Sequence, residues 1–191
     1  MGVIDSPLHL MRHRLTVAEY YRLPDAGVLG PEDRVELIEG EVVDMAPIGT
    51  RHGSCVKALI ALLTEQIGRS ALVCVQDPLH LDDHSEPQPD LMVLRPSADF
   101  YASAHPTPAD VWLLIEVSDT TARYDREIKV PLYARAGVQE VWVVDLEARV
   151  LRCYRDPRNG EYTHIQALSS PGKLPLPGLP GLQVDVSGLL V

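Results

Sequence analysis

The sequence predicts an α/β fold, a mixed β-sheet flanked by helices, and three observations predict it. The segments Leu91 to Leu94, Val111 to Val117 and Glu140 to Val144 are short apolar runs rich in Val, Leu, Ile or Trp, as strands buried on both faces should be. Between Ser54 and Arg69, the residues Val56, Leu59, Ile60, Leu63 and Ile67 recur at helical spacing and form one buried stripe. The order strand, helix, strand from Val111 to Val144 suits a right-handed parallel crossover.

The elements follow in chain order. Residues 1 to 14 show no periodicity and read as a flexible or loosely docked arm. Thr16-Val17-Ala18-Glu19 has the spacing of a capping box, so a short helix follows and stops near Leu23-Pro24. Arg34 to Met45 reads as a hairpin turning at Gly40. Ile48 to Gly53 is a loop ahead of the Ser54 to Arg69 helix, and Gly68 marks that helix's end. Leu72 to Val75 is a short buried strand, with a second candidate at Leu79 to Leu81. A long loop, Pro96 to Asp110, joins the Leu91 and Val111 strands into a hairpin. Asp119, Thr120 and Thr121 offer caps for the next helix. Pro131 leaves two versions of that helix, one beginning near Lys129 and one running from about Ala122 with a kink. Gly137 ends it, and Val138 to Asp145 returns to the core. Arg149 to Arg155 and Glu161 to Ala167 form a further hairpin around Arg158-Asn159-Gly160. Ser169 to Gly181 is Pro/Gly-rich and extended, and Leu182 to Leu190 reads as an edge strand.

A chain of 191 residues with 46% hydrophobic and 23% charged residues is most simply one soluble domain, residues 1–191. No apolar run is long enough to span a bilayer, and the N-terminus carries no leader-like apolar stretch. Cys55, Cys74 and Cys153 lack any CxxC spacing, which argues against a disulfide framework or a zinc site and fits a reducing cytoplasm. The net charge of −10 counts against a protein that coats nucleic acid electrostatically. One local exception is Arg123 to Arg135, where Arg123, Arg126, Lys129 and Arg135 face only Asp125 and Glu127. This stretch reads either as a phosphate contact or as a solvated helix face.

Chemistry concentrates between Pro89 and Asp145. If the Leu91 and Val111 strands pair antiparallel, the start of one lies beside the end of the other, which sets Asp90 next to Glu116. Adjacent carboxylates repel unless a cation compensates. A hard divalent cation is the natural partner, and Mg²⁺ takes one or two carboxylates while keeping waters. Lys129 adds a positive charge that could orient a water or neutralise charge on phosphorus.

Pro89-Asp90, Glu116-Val117-Ser118 and Lys129 together resemble the PD-(D/E)XK nuclease superfamily with its lysine moved, since Ser118 stands where Glu-x-Lys would place it. With Asp125-Arg126, Tyr133, Gly137-Val138 and Glu140-Val141-Trp142, the set closely resembles the Uma-two (Uma2) family of restriction-endonuclease-like proteins, from about Leu15 to Tyr154. The resemblance implies a restriction-endonuclease-like mixed-sheet core with an accessory C-terminal β-hairpin. It implies a metal-dependent endonuclease acting on phosphodiester bonds in nucleic acid, most simply DNA, and a homodimer. Asp90 and Glu116 would hold Mg²⁺ or Mn²⁺, with the Val117 carbonyl as a third ligand, and Lys129 would assist. It further suggests His52 near the substrate or a bound water, and an acidic residue from the N-terminal part of the fold, with Glu39 preferred over Glu36. Asp125 would steady Lys129 or Arg126, and Tyr133 would pack on the face of Lys129. For Glu39 and His52, a turn or capping role stands beside the functional one. The alternative for the whole chain is a nuclease-like scaffold that keeps the fold for binding or assembly without catalysis.

Overall fold

The computed structural model describes residues 13–190, so most of the N-terminal arm expected over residues 1 to 14 lies outside the described residues. Six strands form one sheet in the order β3-β4-β5-β6-β7-β8. They are β3 (Leu72–Val75), β4 (Leu91–Leu94), β5 (Val111–Ser118), β6 (Glu140–Asp145), β7 (Val150–Arg158) and β8 (Glu161–Leu168). Only β5 and β6 run parallel, joined by the predicted crossover, and every other neighbouring pair is antiparallel. A separate hairpin pairs β1 (Val35–Ile38) with β2 (Glu41–Asp44), and a second pairs β9 (Lys173–Pro175) with β10 (Gln183–Asp185).

Strand alternation sorts the core into two layers. Leu91, Val93, Leu113, Ile115, Val117 and Trp142 pack against helix α2 (Thr50–Ile67), which presents Val56, Leu59, Leu63 and Ile67. Met92, Leu94, Leu114, Val141 and Val143 pack on the opposite face against α4 (Val130–Ala136), through Val130, Tyr133 and Ala134. Both faces of the central strands are therefore covered, which is why they read as continuous apolar runs.

Three expectations are corrected here. Helix α2 begins at Thr50, four residues earlier than the apolar stripe signalled, so His52 lies in its first turn. The stripe starts late because the first turn faces the sheet's polar rim. Leu79 to Leu81 is not a strand: Leu79 N–H donates to Pro87 and Leu81 N–H to Ser85, so this segment satisfies its backbone by folding on itself. The expected terminal edge strand is short, and it pairs within the β9–β10 hairpin instead of on the main sheet.

The helix around Pro131 takes its longer form. It runs through α3 (Ala122–Tyr124), one π-helical turn (Asp125–Lys129) and α4 without a break. Pro131 has no N–H to give, and its ring crowds the carbonyl four residues back. A wide turn relieves this, and the Val130 N–H reaches five residues back to Asp125. The predicted capping box closes α1 (Val17–Tyr20), with Glu19 N–H on Thr16 Oγ1 and Thr16 N–H on Glu19 Oε2. All three cysteines are free thiols.

The C-terminal segment is held against the sheet by an aromatic contact that tolerates no side chain. Gly178 has φ +75°, and a Cβ there would lie 2.3 Å from the ring of Trp112, over which the Arg95 guanidinium also sits at 5.6 Å. Gly178→Ala is expected to cost about 2–4 kcal/mol by combined overpacking and left-handed strain. Urea unfolding checks this, and a change below about 0.5 kcal/mol would show that the segment simply lifts away.

Candidate active site

Asp90 stands directly ahead of β4, and the pairing of Leu91 with Ile115 sets it beside Glu116 near the end of β5. The Asp90 N–H donates to Glu116 Oε2 at 3.3 Å, and Asp90 Oδ2 accepts from the Val117 N–H at 2.8 Å. His52 reaches the same Oδ2 from α2, with Nε2 at 3.0 Å. A carboxylate only accepts, so the bond assigns the imidazole proton to Nε2. This bond also holds the His52 pKa above its ordinary value, against partial burial.

Alternation turns Glu116 toward the α4 layer. There its Oε1 accepts from Tyr133 OH at 2.6 Å and pairs with Lys129 Nζ at 2.9 Å. Lys129 also pairs with Glu36 Oε2 at 3.2 Å, and that oxygen accepts the Gln88 N–H at 3.0 Å. Asp125 accepts from Ser118 Oγ at 2.7 Å and Thr121 Oγ1 at 2.8 Å. Three carboxylates, Glu116, Glu36 and Asp125, thus crowd one ammonium, and all four groups are buried. Burial pushes the Glu116 carboxyl up to about 8; Lys129 opposes this, while Asp90 and Asp125 add to it. Burial alone would lower the Lys129 pKa, but Glu116, Glu36 and Asp125 outweigh it and keep the amine protonated. Burial likewise raises Asp125, though Lys129 and its two hydroxyl donors pull the other way.

A cleft of about 490 Å³ opens over this network, with Asp90, His52, Lys129, Val117, Tyr124 and Arg34 among its lining. Glu116 lies beneath the lining, behind Asp90 and Lys129. Among the described residues, two buried side-chain polar atoms lack a hydrogen-bond partner, His52 Nδ1 and Tyr124 OH, and both side chains line this cleft.

The donor set fits a hard divalent cation. Asp90 and Glu116 each have one oxygen firmly engaged and one held by a long contact only, Asp90 Oδ1 by Gln76 Nε2 at 3.4 Å and Glu116 Oε2 by the Asp90 N–H. Among the described residues no group of three or more His, Cys, Asp and Glu side chains is placed to hold a metal ion, so an ion here would rest on the two carboxylates. Two carboxylates with open positions for water are what Mg²⁺ requires, and the surplus of buried negative charge is what a divalent ion would relieve.

A family profile described as "Uma2: Putative restriction endonuclease" matches residues 17–187. The chain is a member of the Uma2 family. Its fold is also that of a solved structure, a "putative nuclease belonging to DUF820" from Anabaena variabilis, with a TM-score of 0.72 and 18% sequence identity. The match covers 92% of this chain and 97% of that one. No curated protein sequence matches the chain significantly.

In this Uma2 chain the structure brings Asp90, Glu116, Val117, Lys129, His52 and Asp125 together as the sequence suggested. Glu39 is not among them. It occupies the first position of the two-residue turn between β1 and β2, with φ +50°, and pairs on the surface with Arg135 at 2.8 Å. Glu36 takes the inward place. Sequence alternation hid it because residues 85–88 cover the outer side of β1, leaving all four of its residues buried. Asp125 does not steady Arg126, which pairs with Asp145 at 3.1 Å. The three arginines expected at phosphate are all engaged elsewhere, Arg123 with Glu127 at 2.9 Å and Arg135 with Glu39, and none of them lines the cleft. Arg34 and Tyr124 carried no sequence signal. No helix among the described residues is long and apolar enough to cross a membrane.

Proposed function

We propose that this chain is a metal-dependent nuclease that hydrolyses phosphodiester bonds in DNA. The observation carrying the reading is the pair Asp90–Glu116 held against a buried, protonated Lys129 at the floor of one cleft. Membership of a family described as restriction endonucleases supports it.

Asp90 and Glu116, with the Val117 carbonyl, are the groups that would hold Mg²⁺ or Mn²⁺. Such an ion, when bound, supplies Lewis-acid polarisation of a phosphoryl oxygen and a lowered pKa for water. The chain's own residues supply the rest. His52 and the Val117 N–H fix the orientation of Asp90 through one oxygen and leave the other turned to the cleft. Lys129 keeps its proton because Glu36 and Glu116 flank it, so it presents a permanent positive charge where phosphate charge would develop. Tyr133 and Lys129 share Glu116 Oε1, which locks that carboxylate and the helix together.

The direct test is cleavage of supercoiled plasmid by the purified protein with Mg²⁺, Mn²⁺ or EDTA. Nicking that depends on the metal supports the reading, and no cleavage with either ion refutes it. The competing reading, a nuclease-like scaffold without chemistry, is favoured by one observation: Lys129 is already fully engaged by two carboxylates.

Metal affinity should depend on pH with a definite sign. The Glu116 carboxyl is pushed up to about 8, so below that pH an arriving ion must displace a proton. Affinity for Mg²⁺ therefore rises with pH, by up to about tenfold per unit between pH 6 and 8, and levels off above. Thermal shifts at fixed Mg²⁺ across this range check it, and a flat profile would mean that Glu116 takes no part in binding.

A further inference from the structure

We infer that Arg34 and Tyr124 form the phosphate clamp of this cleft, holding an anionic oxygen of a phosphodiester by one charged and one neutral donor. The inference rests on the nuclease reading for the identity of the substrate, but on independent observations for the site.

The first observation is Tyr124. Its side chain lines the cleft, and its hydroxyl is buried without a hydrogen-bond partner. Satisfied buried polar groups are the rule, and an exception needs a cause. Its neighbours Asp125 and Glu36 bind their own partners through Oδ2 and Oε2, and the Tyr124 hydroxyl donates to neither carboxylate. A phenol that donates one hydrogen into a cleft is suited to an acceptor that arrives from outside.

The second observation is Arg34. It lines the same cleft, is exposed, and has no ion-pair partner among the described residues. In this it differs from Arg51, Arg123, Arg126, Arg135, Arg152 and Arg155, each of which is bound to a carboxylate. Lys129 is held between Glu36 and Glu116, so among the described lining residues Arg34 is the basic side chain with no carboxylate partner of its own to give up to an incoming anion. A guanidinium matches the geometry of phosphate oxygens.

The third consideration is charge balance. Glu36, Asp90 and Asp125 repel an anion from the floor of the cleft. A clamp that uses one exposed cation near the mouth and one neutral donor inside places the phosphate without adding further charge to the buried network.

The test separates binding from cleavage. A short fluorescein-labelled duplex is titrated by anisotropy with Ca²⁺ in place of Mg²⁺, and inorganic phosphate protection is measured by thermal shift. Arg34→Gln should weaken duplex binding about tenfold and lower the salt slope by about 1. Tyr124→Phe should weaken it about tenfold with no change of slope, since no charge is lost. Both should lose phosphate protection. Arg69→Gln is the charge-matched control, at the far end of α2, about 27 Å along the helix axis from its first turn. It should bind as wild type does. Tyr124→Phe should also be at least as stable as wild type without ligand, because it removes an unpaired buried hydroxyl; a purely structural tyrosine would lose stability. Wild-type binding by both variants, or equal loss in all three, overturns the clamp. So does a wild-type protein that binds neither duplex nor phosphate. Failure of the nuclease reading looks different: no plasmid cleavage with either metal, while phosphate protection still depends on Arg34 and Tyr124.

Discussion

Asp90→Asn protein is expected to fold and to have lost metal-dependent plasmid cleavage by about 10³-fold or more. The substitution keeps the shape of the side chain and an oxygen able to accept from the Val117 N–H. It removes the charge that, with Glu116, would hold the ion, and a lost metal contribution of several kcal/mol is about three decades of rate. Because His52 also donates to Asp90, the neutral variant leaves His52 with a weaker partner, and its raised pKa should fall back toward the ordinary histidine value. Plasmid nicking gives the rate, and NMR titration of the imidazole gives the second readout. Cleavage within tenfold of wild type would remove Asp90 from the chemistry.

Lys129→Met should be the most destabilising single change at the site, at about 3–5 kcal/mol. Breaking a buried ion pair from one side leaves the other side uncompensated. Here three carboxylates lose their common cation: Glu116 and Glu36 by direct contact, and Asp125 through its field. In a chain of this size the melting temperature should fall by on the order of 10 °C. The penalty should grow as pH rises from 8 to 10, because there wild-type Glu116 ionises beside Lys129 while the stranded carboxyl has no cation to stabilise its charge. Thermal unfolding across that range checks both parts. A loss under about 1 kcal/mol would mean that the network does not need its ammonium. Activity should vanish in Lys129→Met on the nuclease reading, and this is to be measured at a temperature where the variant is folded.

Much of the site was legible because it depends on strand pairing alone. Antiparallel pairing puts the head of one strand at the tail of the next, so Asp90 meets Glu116 whatever the connecting loop does. Lys129, Tyr133 and Asp125 were legible because they are four residues apart on one helix. What could not be read was decided by parts of the chain that only the fold brings close. Glu36 is buried by residues 85–88, far along the sequence. Glu39 looked the better acid until the turn carried it outward. The basic stretch 123–135 looked like a phosphate site because its partners are mostly distant: Asp145 for Arg126 and Glu39 for Arg135. Only the Arg123–Glu127 pair, four apart, was there to be seen in advance. The early start of α2 was hidden because its first turn is anchored by His52 on Asp90, a polar contact that apolar periodicity does not record.

The π turn between Asp125 and Lys129 fixes a phase. Compared with an uninterrupted α-helix, the stretch 122–136 holds one surplus residue, and each residue of an α-helix advances the side chains by about 100°. Deleting the exposed Ile128 would close the turn. Because the wide turn stores the surplus residue, its loss would leave Tyr133 and Ala134 toward Met92 and Leu114, and Asp125 toward Ser118, as in a regular helix. The cost would fall on Pro131, whose ring the wide turn accommodates. A one-residue change elsewhere in the segment has no such slack and would turn the end that serves the cleft against the end that serves the core.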